Sequence, residues 1–398
     1  MPLADTVREA LGSQSMIRKM FEEGTMLKKQ YGADKVFDFS LGNPDLEPPP
    51  EFHRVLLKLA TEDQKGSHGY MANAGYPEVR EALSKKVSAE QGVTIDGSHI
   101  VMSCGAAGGL NVVLKSILNA GDEIIVSKPY FMEYRPYAAN HGGCIVEVNA
   151  LPDFDLDVDG IKAKLSAKTA AVLINSPHNP TGRIYSAKTI ARLAQVLEQH
   201  GQKCGRFPYL VSDEPYREIA YDGVAVPPVL SAYGESIVVS SYSKSLSLPG
   251  ERIGYIAVSP EINDKQNLLG AFIYATRVLG YVNAPALMQR IVADLASAKV
   301  DVDVYARRRA AFTKILGDVG IEYAKPEGAF YLFCKVPQKE PASIGNDLAF
   351  VDHLKKHLIL GVPGSGFGKS GWLRFAYCVD EKIIKASETA FRKAMGSW

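Results

Sequence analysis

The chain has 398 residues, of which 46% are hydrophobic and 22% charged, and its formal net charge is +1. This composition is typical of a globular protein with a sizeable core, and the near-zero charge argues against nucleic acid or an anionic membrane as a partner. No apolar run reaches the roughly 18 residues of a membrane helix, and the N-terminus lacks the apolar centre of a secretory signal, so we expect a cytoplasmic protein.

The predicted elements begin with an amphipathic helix over residues 7–31, in which Gly24 is a weak position. An extended, proline-rich segment follows over residues 36–52, with the sequence VFDFSLGNPDLEPPPEF. Gly42 in this segment has no side chain, which would let the backbone approach a ligand closely.

Residues 78 to about 260 alternate between apolar runs and helical segments. This alternation predicts an α/β fold with a mainly parallel sheet covered by helices on both faces. One helical segment is SAKTIARLAQVLEQHG at residues 186–201, with Ser186 as its N-cap and Gly201 at its end. The apolar runs, each predicted as a buried strand, are HIVMS at 99–103, DEIIVS at 122–127, AAVLIN at 170–175, PYLVSD at 208–213 and SIVVSS at 236–241.

A second, smaller α+β unit is predicted after residue 285. A long helical stretch over residues 287–320 leads into EGAFYLFCKV at 327–336 and GWLRFAYCV at 371–379, both of which are typical of strands. Residues 1–45 are the expected N-terminal partner of this unit. We therefore predict a large domain over 46–290 and a discontinuous small domain formed by 1–45 and 291–398.

Ligands of open α/β sheets bind beyond the carboxyl ends of the strands, so the residues that follow the five predicted strands are candidates for a site. The turn after the first strand, CGAAGG at 104–109, is rich in small residues and opens a helix. The candidates collected at this edge are Gly105, Ala106, Ala107, Phe131, Asn179, Asp213, Tyr216, Ser241 and Lys244.

The small-residue turn presents free N–H groups at a helix N-terminus and can bind an anion such as phosphate, although a tightly packed strand–helix turn explains the same residues. Ser241 and Arg252 would add a hydroxyl and a guanidinium to this phosphate site. Lys244, flanked by Ser243 and Ser245, is then either a further phosphate ligand or a Schiff-base nucleophile.

Asp213 distinguishes between these two roles of Lys244, because a carboxylate opposite a phosphate site needs a cationic partner. A pyridoxal ring has its phosphate and its pyridine nitrogen at nearly opposite ends, and a carboxylate beside that nitrogen keeps it protonated. Asn179 and Tyr216 can hydrogen-bond the phenolate oxygen of the ring, and Phe131 can stack on its face. Alone, Asp213 would also suit a helix N-cap, but the five segments together favour pyridoxal phosphate as cofactor.

Eight motifs carry a family resemblance, which covers the chain from about residue 13 to the C-terminus. They are LGNPD, GYMANAGYPEVREAL, NSPHNPTG, SDEPY, SYSKSLSLPGERIG, PEGAFYLF, PGSGFG and LRFAY. With them the chain resembles the class I/II aminotransferases, the fold-type I pyridoxal-phosphate enzymes that include the aspartate aminotransferases. The resemblance implies a mainly parallel seven-stranded sheet in the large domain. It also implies a homodimer that transfers the amino group of an L-amino acid to a 2-oxo acid by a ping-pong mechanism.

The resemblance further implies a role for each candidate residue. Lys244 would carry the cofactor as an internal aldimine and shuttle a proton between the substrate α-carbon and C4′, and Asp213 would pair with the pyridine nitrogen. Arg374 would clamp the substrate α-carboxylate, beside Asn179 and the backbone of Gly42. The ligands of the phosphate would be Gly105, Ala106, Ala107, Ser241, Arg252 and, from the neighbouring subunit, Tyr70. Asn179 and the catalytic Tyr216 would hold the phenolate oxygen, and Phe131 would stack on the ring.

The choice of substrate stays open, since the chain departs from the aspartate-specific pattern. Ala106 stands where some aspartate-specific members carry a lysine, and Arg277 lies one residue out of register with an arginine that reads a distal carboxylate. Phe330 and Ile17 are the apolar residues expected to line the pocket. A C–S lyase of the same fold is an alternative, because it would start from the same α-carbanion.

Two further expectations concern other classes of protein. A non-catalytic regulator is disfavoured, because no DNA-binding module precedes residue 13 and no basic patch is present. The five cysteines lie far apart without a CxxC pair, which favours reduced thiols, and the absence of a His/Cys cluster predicts that the protein binds no metal.

Overall fold

The computed structural model describes residues 3–4, 7–8, 16–62, 65–338 and 346–398. Its α-helices are α1 Met16–Tyr31, α2 Pro50–Thr61, α3 Pro77–Gln91, α4 Gly105–Ile117, α5 Tyr134–Ala139, α6 Val158–Lys164, α7 Ala187–Cys204, α8 Tyr242–Ser245, α9 Lys265–Val278, α10 Ala286–Asp294, α11 Val302–Asp318, α12 Asp347–Lys356, α13 Glu381–Ala386 and α14 Glu388–Ser397. Its strands are β1 Phe37–Asp38, β2 Ile100–Ser103, β3 Glu123–Lys128, β4 Cys144–Asn149, β5 Thr169–Asn175, β6 Tyr209–Asp213, β7 Ser236–Ser241, β8 Gly254–Val258, β9 Tyr323–Ala324, β10 Tyr331–Lys335, β11 Ile359–Leu360, β12 Val362–Pro363 and β13 Trp372–Ala376.

A seven-stranded sheet in the order β2-β8-β7-β6-β5-β3-β4 forms the centre of the molecule. The neighbouring strands from β7 to β4 are parallel, and β8 runs antiparallel to β7 and β2. This sheet confirms the predicted α/β class. The apolar runs in the sequence account for five of the seven strands. They leave out β4, which lies at the edge and is mostly only half-buried, and β8, a buried strand of five residues with the sequence GYIAV.

The central strands are apolar because both of their faces are covered. Every residue of β5 and β7 is buried. Side chains alternate between the two faces of a strand, so Val238 of β7 packs in one hydrophobic cluster while Ile237 and Val239 pack in another on the opposite face. Helices on both faces therefore hold the sheet rigid and fix the positions of the residues at its carboxyl edge.

Helix α7 begins as predicted but ends later. The Ser186 hydroxyl accepts a hydrogen bond from the backbone N–H of Thr189 at 3.0 Å, which caps the helix N-terminus. The helix passes through Gly201 and ends at Cys204, where Gly205 caps it in the left-handed conformation with φ 71°. The prediction that Gly201 ends the helix is wrong: Gly201 is inside the helix, where a Cβ would overlap the ring of Phe207.

A second hydrophobic core joins the two ends of the chain. Here β12, β13, β10 and β9 form an antiparallel sheet, and β1 pairs with β11 in parallel. The Phe39 ring, next to β1, lies 4.5 Å from the Phe312 ring of α11, measured between centroids. The core of this small unit thus contains residues from both chain ends.

The predicted helical stretch over 287–320 is divided in two. Helices α10 and α11 are separated by residues 295–301, and the Asp301 side chain accepts a hydrogen bond from the N–H of Asp303 at 3.0 Å to cap α11. The first predicted helix is present as α1, and residues 9–15 of that prediction lie outside the described residues. Among the described residues, every helix is too short or too polar to span a bilayer.

Candidate active site

A cavity of about 480 Å³ opens at the carboxyl ends of β5, β6 and β7, between the central sheet and the small unit. Most of the candidate residues line it, although they come from segments spread over more than 300 positions of the chain. They are Gly42, Ala106, Ala107, Phe131, Asn179, Asp213, Tyr216, Ser241, Lys244, Arg252 and Arg374.

Lys244 lies in the short helix α8, directly after β7, so the sheet positions its side chain at the cavity. Its Nζ donates a hydrogen bond to the backbone carbonyl of Gly42 at 2.8 Å. Burial lowers the pKa of Lys244 to about 8, and the positive charges of Arg374 and Arg252 act in the same direction. An amine with this pKa keeps an uncharged fraction near neutral pH, and that form is the nucleophile.

Asp213 ends β6 and is almost fully buried. Its Oδ2 accepts a hydrogen bond from the Tyr134 hydroxyl at 2.6 Å, whereas its Oδ1 has no hydrogen-bond partner among the described residues. Burial raises the pKa of Asp213 to about 7. A buried carboxylate oxygen without a partner is costly, so this site is suited to a cationic group that enters the cavity.

The small-residue turn and Arg252 meet at one end of the cavity. Gly105, the first residue of α4, has φ 71°, and a Cβ there would lie 2.8 Å from Nη2 of Arg252. The guanidinium of Arg252 donates to the carbonyls of Pro249 at 2.9 Å and Cys104 at 3.5 Å. Free N–H groups at the start of a thirteen-residue helix, next to a guanidinium, form an anion site.

Arg374 comes from β13 of the small unit and is only 2% exposed. Its Nη1 donates to Oδ1 of Asn179 at 2.9 Å and its Nη2 to the Ser40 carbonyl at 2.7 Å, while its Nε has no partner among the described residues. The guanidinium also lies 4.5 Å from the ring centroid of Tyr331 and 4.8 Å from that of Phe367. These contacts hold the guanidinium plane in one orientation before any ligand binds.

The structure adds two tyrosines that the sequence did not single out. One is Tyr134, whose hydroxyl donates a hydrogen bond to Asp213. The other is Tyr331, whose hydroxyl lies 2.8 Å from that of Tyr216. A Cβ at Gly42 would overlap the Tyr331 hydroxyl, which explains the glycine at that position. Tyr134 follows Phe131 by three residues, and Tyr331 lies within PEGAFYLF, so proximity to named motifs was the only signal for either residue.

Some predicted residues lie away from the cavity of this chain. Tyr70 is 93% exposed. Arg277, near the end of α9, is exposed, and its guanidinium lies 5.8 Å from the Tyr274 ring centroid. Phe330 is fully buried, with its ring centroid 5.6 Å from Nζ of Lys244. The Ile17 side chain lies outside the described residues.

The comparison with known protein families agrees with this arrangement. The family model for aminotransferase class I and II matches residues 34–388. The chain belongs to the aminotransferase class I and II family. This confirms the predicted resemblance.

Individual relatives of this aminotransferase match it over nearly their whole length. It is 30% identical over 376 residues to a probable aspartate/prephenate aminotransferase of Aquifex aeolicus, covering 90% of this chain and 91% of the relative. It is 29% identical over 385 residues to a probable aspartate aminotransferase of Methanocaldococcus jannaschii, covering 94% and 95%. A crystal structure of an amino transferase from Eubacterium rectale superposes with a TM-score of 0.94 at 37% identity and covers 100% of both chains.

The enzyme is therefore a pyridoxal-phosphate-dependent aminotransferase, and the aminotransferase names of its relatives do not favour the alternative of a C–S lyase. The residues of the cavity fit the cofactor. The unpartnered Oδ1 of Asp213 suits the protonated ring nitrogen, and the anion site beside Arg252 suits the phosphate. Lys244 lines the same cavity, and its side chain ends in an amine, the group that the cofactor aldehyde requires.

Proposed function

We propose that this aminotransferase takes the α-amino group of an L-amino acid and passes it to a 2-oxo acid, in two half-reactions at the cavity around Lys244. The observation that carries this proposal is the unpartnered Oδ1 of the buried Asp213, in a cavity that also contains a lysine of lowered pKa. A carboxylate that needs a cation and an amine that can lose its proton are the two groups that amino transfer requires from the protein.

When bound, pyridoxal phosphate supplies an electron sink for the negative charge that develops on the substrate α-carbon. Lys244 would bond to the cofactor through Nζ and, once an amino acid has displaced that bond, would use the same Nζ to remove the α-proton. Asp213 would keep the ring nitrogen protonated, and Tyr134 would hold Asp213 in place. The remaining cofactor ligands that we assign are Gly105, Ala106, Ala107, Phe131, Asn179, Tyr216, Ser241 and Arg252.

The function is tested by a panel of amino acids that each react once with the loaded enzyme, with release of the 2-oxo acid measured for each. At least one amino acid should give its 2-oxo acid, and a second 2-oxo acid should then restore the starting absorption spectrum. Borohydride reduction followed by peptide mapping should find the cofactor on Lys244. Release of pyruvate and ammonia from cysteine or serine, without a 2-oxo acid acceptor, would point to elimination instead.

We assign the substrate α-carboxylate to Arg374, next to Asn179 and the backbone of Gly42. The planar guanidinium is held by Asn179 and Ser40, and its geometry matches a carboxylate through two parallel hydrogen bonds.

Arg374→Lys should lower kcat/KM by about 100-fold, since lysine keeps the charge but loses the fork and leaves the Asn179 oxygen and the Ser40 carbonyl without their donor. Because every amino acid has an α-carboxylate, the loss should be similar for aspartate, alanine and phenylalanine. Arg392→Lys, on the exposed face of α14, serves as the control and should change none of the three. A loss confined to one donor would contradict the assignment.

We also propose a cytoplasmic homodimer whose subunits divide into a large domain over 46–290 and a small domain formed by 1–45 and 291–398. The separate core around Phe39 and Phe312 supports the domain division. All five cysteines are free, as suits a reducing compartment. The dimer is supported by Tyr70, a large side chain that is 93% exposed in the single chain and that we assign to the phosphate of the neighbouring active site.

Tyr70→Phe should weaken the binding of pyridoxal phosphate by about tenfold, because the phosphate loses one hydrogen bond to a hydroxyl. Equilibrium dialysis of the apoprotein against the cofactor measures this change, and sedimentation velocity measures the dimer. Tyr31→Phe removes another exposed hydroxyl and should leave cofactor affinity unchanged. A monomer that binds the cofactor with full affinity would disprove the shared site.

A further inference from the structure

Glu133 is an acidic residue of the cavity lining that has no role in the reaction proposed above. Among the described residues, the lining contains three cationic side chains, those of Lys244, Arg252 and Arg374, and two carboxylates, those of Asp213 and Glu133. Four of these five have been assigned to the cofactor or to the substrate α-carboxylate. Glu133 remains, and it lines the same cavity.

The three cations of the cavity already have other partners. Lys244 donates to Gly42, Arg252 to the carbonyls of Pro249 and Cys104, and Arg374 to Asn179 and Ser40. Glu133 is half-buried just before α5, and its carboxylate makes no hydrogen bond or ion pair with any residue that the structure describes. The negative charge on this side of the cavity is therefore not neutralised within the chain.

The charge of Glu133 acts inside the cavity rather than only on the solvent. Tyr137, one turn further along in α5, also lines the cavity. Its pKa is raised to about 12 by burial and next by the negative charges of Glu133 and Asp213, while the positive charge of Arg252 acts in the opposite direction. A substrate group that enters beside Tyr137 would meet the same charge. Anionic groups would be repelled there and cationic groups attracted.

The neighbouring lining is apolar. Phe21 of α1, Leu41 and Phe131 contribute to the same cavity, and Phe21 and Leu41 are 46% and 37% exposed without a ligand. At the start of α4, Ala106 contributes a methyl group and no charge. An apolar wall with a carboxylate is complementary to a side chain that has an apolar stem and a cationic end, as in lysine, ornithine and arginine.

We propose that Glu133 determines donor specificity by pairing with the distal ammonium or guanidinium of a basic L-amino acid. This inference rests on the proposed function, in which Arg374 holds the α-carboxylate of the same substrate. It predicts that the enzyme prefers basic donors to aspartate and glutamate, whose distal carboxylates would lie near an uncompensated negative charge.

The experiment compares wild type, Glu133→Gln and the control Glu51→Gln, which removes an exposed charge from α2. The donors are lysine, ornithine, arginine, leucine, phenylalanine and aspartate, each scored by kcat/KM. Glu133→Gln should lower the values for the basic donors by about tenfold or more, leave leucine and phenylalanine within about twofold, and raise the value for aspartate. Glu51→Gln should match wild type throughout.

A binding measurement separates recognition from turnover. α-Methyl-lysine and α-methyl-leucine have no α-proton, so they bind the holoenzyme without reacting to product. Glu133→Gln should raise the dissociation constant for α-methyl-lysine by about tenfold and leave that for α-methyl-leucine unchanged. Equal changes for both ligands would overturn the assignment.

The remaining outcomes are also decisive. If wild type converts neutral donors but no basic donor, the inference about Glu133 is wrong while the aminotransferase function stands. If no amino acid of the panel gives a 2-oxo acid, the proposed function itself fails. If Glu133→Gln weakens the dimer and leaves donor selectivity unchanged, the carboxylate belongs to a contact between subunits, and the specificity role is disproved.

Discussion

Lys244→Ala should lower the rate of amino transfer by at least about 10⁴-fold, the largest effect expected of any single substitution in this enzyme. The variant would lose both groups that we assign to this side chain, the amine that bonds to the cofactor and the base that removes the α-proton. The fold should survive, because the side chain makes one hydrogen bond, to the Gly42 carbonyl. Single-turnover production of the 2-oxo acid from a good donor measures the loss, and Lys162→Ala on α6 is the control.

Chemical rescue distinguishes a missing amine from a damaged site. Methylamine is small enough to enter the space that the lysine side chain leaves, and it should restore part of the activity in proportion to its uncharged form. Rescue should therefore increase with pH. A variant that keeps more than about one hundredth of the wild-type rate without added amine would show that another group removes the proton.

Asp213→Asn should lower kcat by about 10³-fold or more while the cofactor still binds. Asparagine is nearly the same size as aspartate but carries no charge, so it cannot keep the ring nitrogen protonated, and each tenfold loss of rate corresponds to ~1.4 kcal/mol of barrier. Steady-state kinetics and equilibrium dialysis of the cofactor measure the two quantities separately. Asp294→Asn on α10 is the matched control, and a near-normal rate in Asp213→Asn would exclude the pyridinium role.

Although Asp213→Asn should lower kcat, it should stabilise the cofactor-free protein relative to wild type as the pH rises. The pKa of Asp213 is raised to about 7 in the folded chain, above the ~3.9 of an unperturbed aspartate. Between these values the folded state binds a proton that the unfolded state does not, so the wild type loses stability as the pH rises from about 4 to 7. Asparagine does not titrate, so the stability of the variant relative to wild type should rise by on the order of 2 kcal/mol between pH 5 and pH 8. Urea unfolding at both pH values measures this, and an equal difference at both would contradict a buried carboxylate without a cationic partner.

Much of the site can be predicted because three of its residues lie at or just after the carboxyl ends of adjacent parallel strands. Strands β5, β6 and β7 are neighbours in the sheet, so Asn179, Asp213 and Lys244 meet at its carboxyl edge whatever the details of packing. The apolar runs that form these strands are visible in the sequence. The order of the strands and the antiparallel β8 are not, because both depend on connections that no local pattern encodes.

The contacts that tune the site depend on tertiary packing. Tyr134 bonds a residue 79 positions away and Tyr331 one 115 positions away, and neither spacing has a sequence signature. Dependence on tertiary packing also explains the error at Gly201. This glycine is predicted to end a helix, but it lies inside the helix, where the nearby ring of Phe207 leaves no room for a side chain. Arg277 is exposed in the single chain, and the role predicted for it would require the dimer that we propose, so it remains a prediction.

The bond between Arg374 and the Ser40 carbonyl joins positions 334 residues apart. During synthesis on the ribosome, the arginine emerges after the sheet strands that contribute Asp213 and Lys244. A nascent chain can therefore build a surface for the cofactor before it has a complete pocket for an amino acid. Substrate binding thus depends on a segment that is made after the strands of the cofactor site, and products truncated before Arg374 are expected to be catalytically silent rather than partly active.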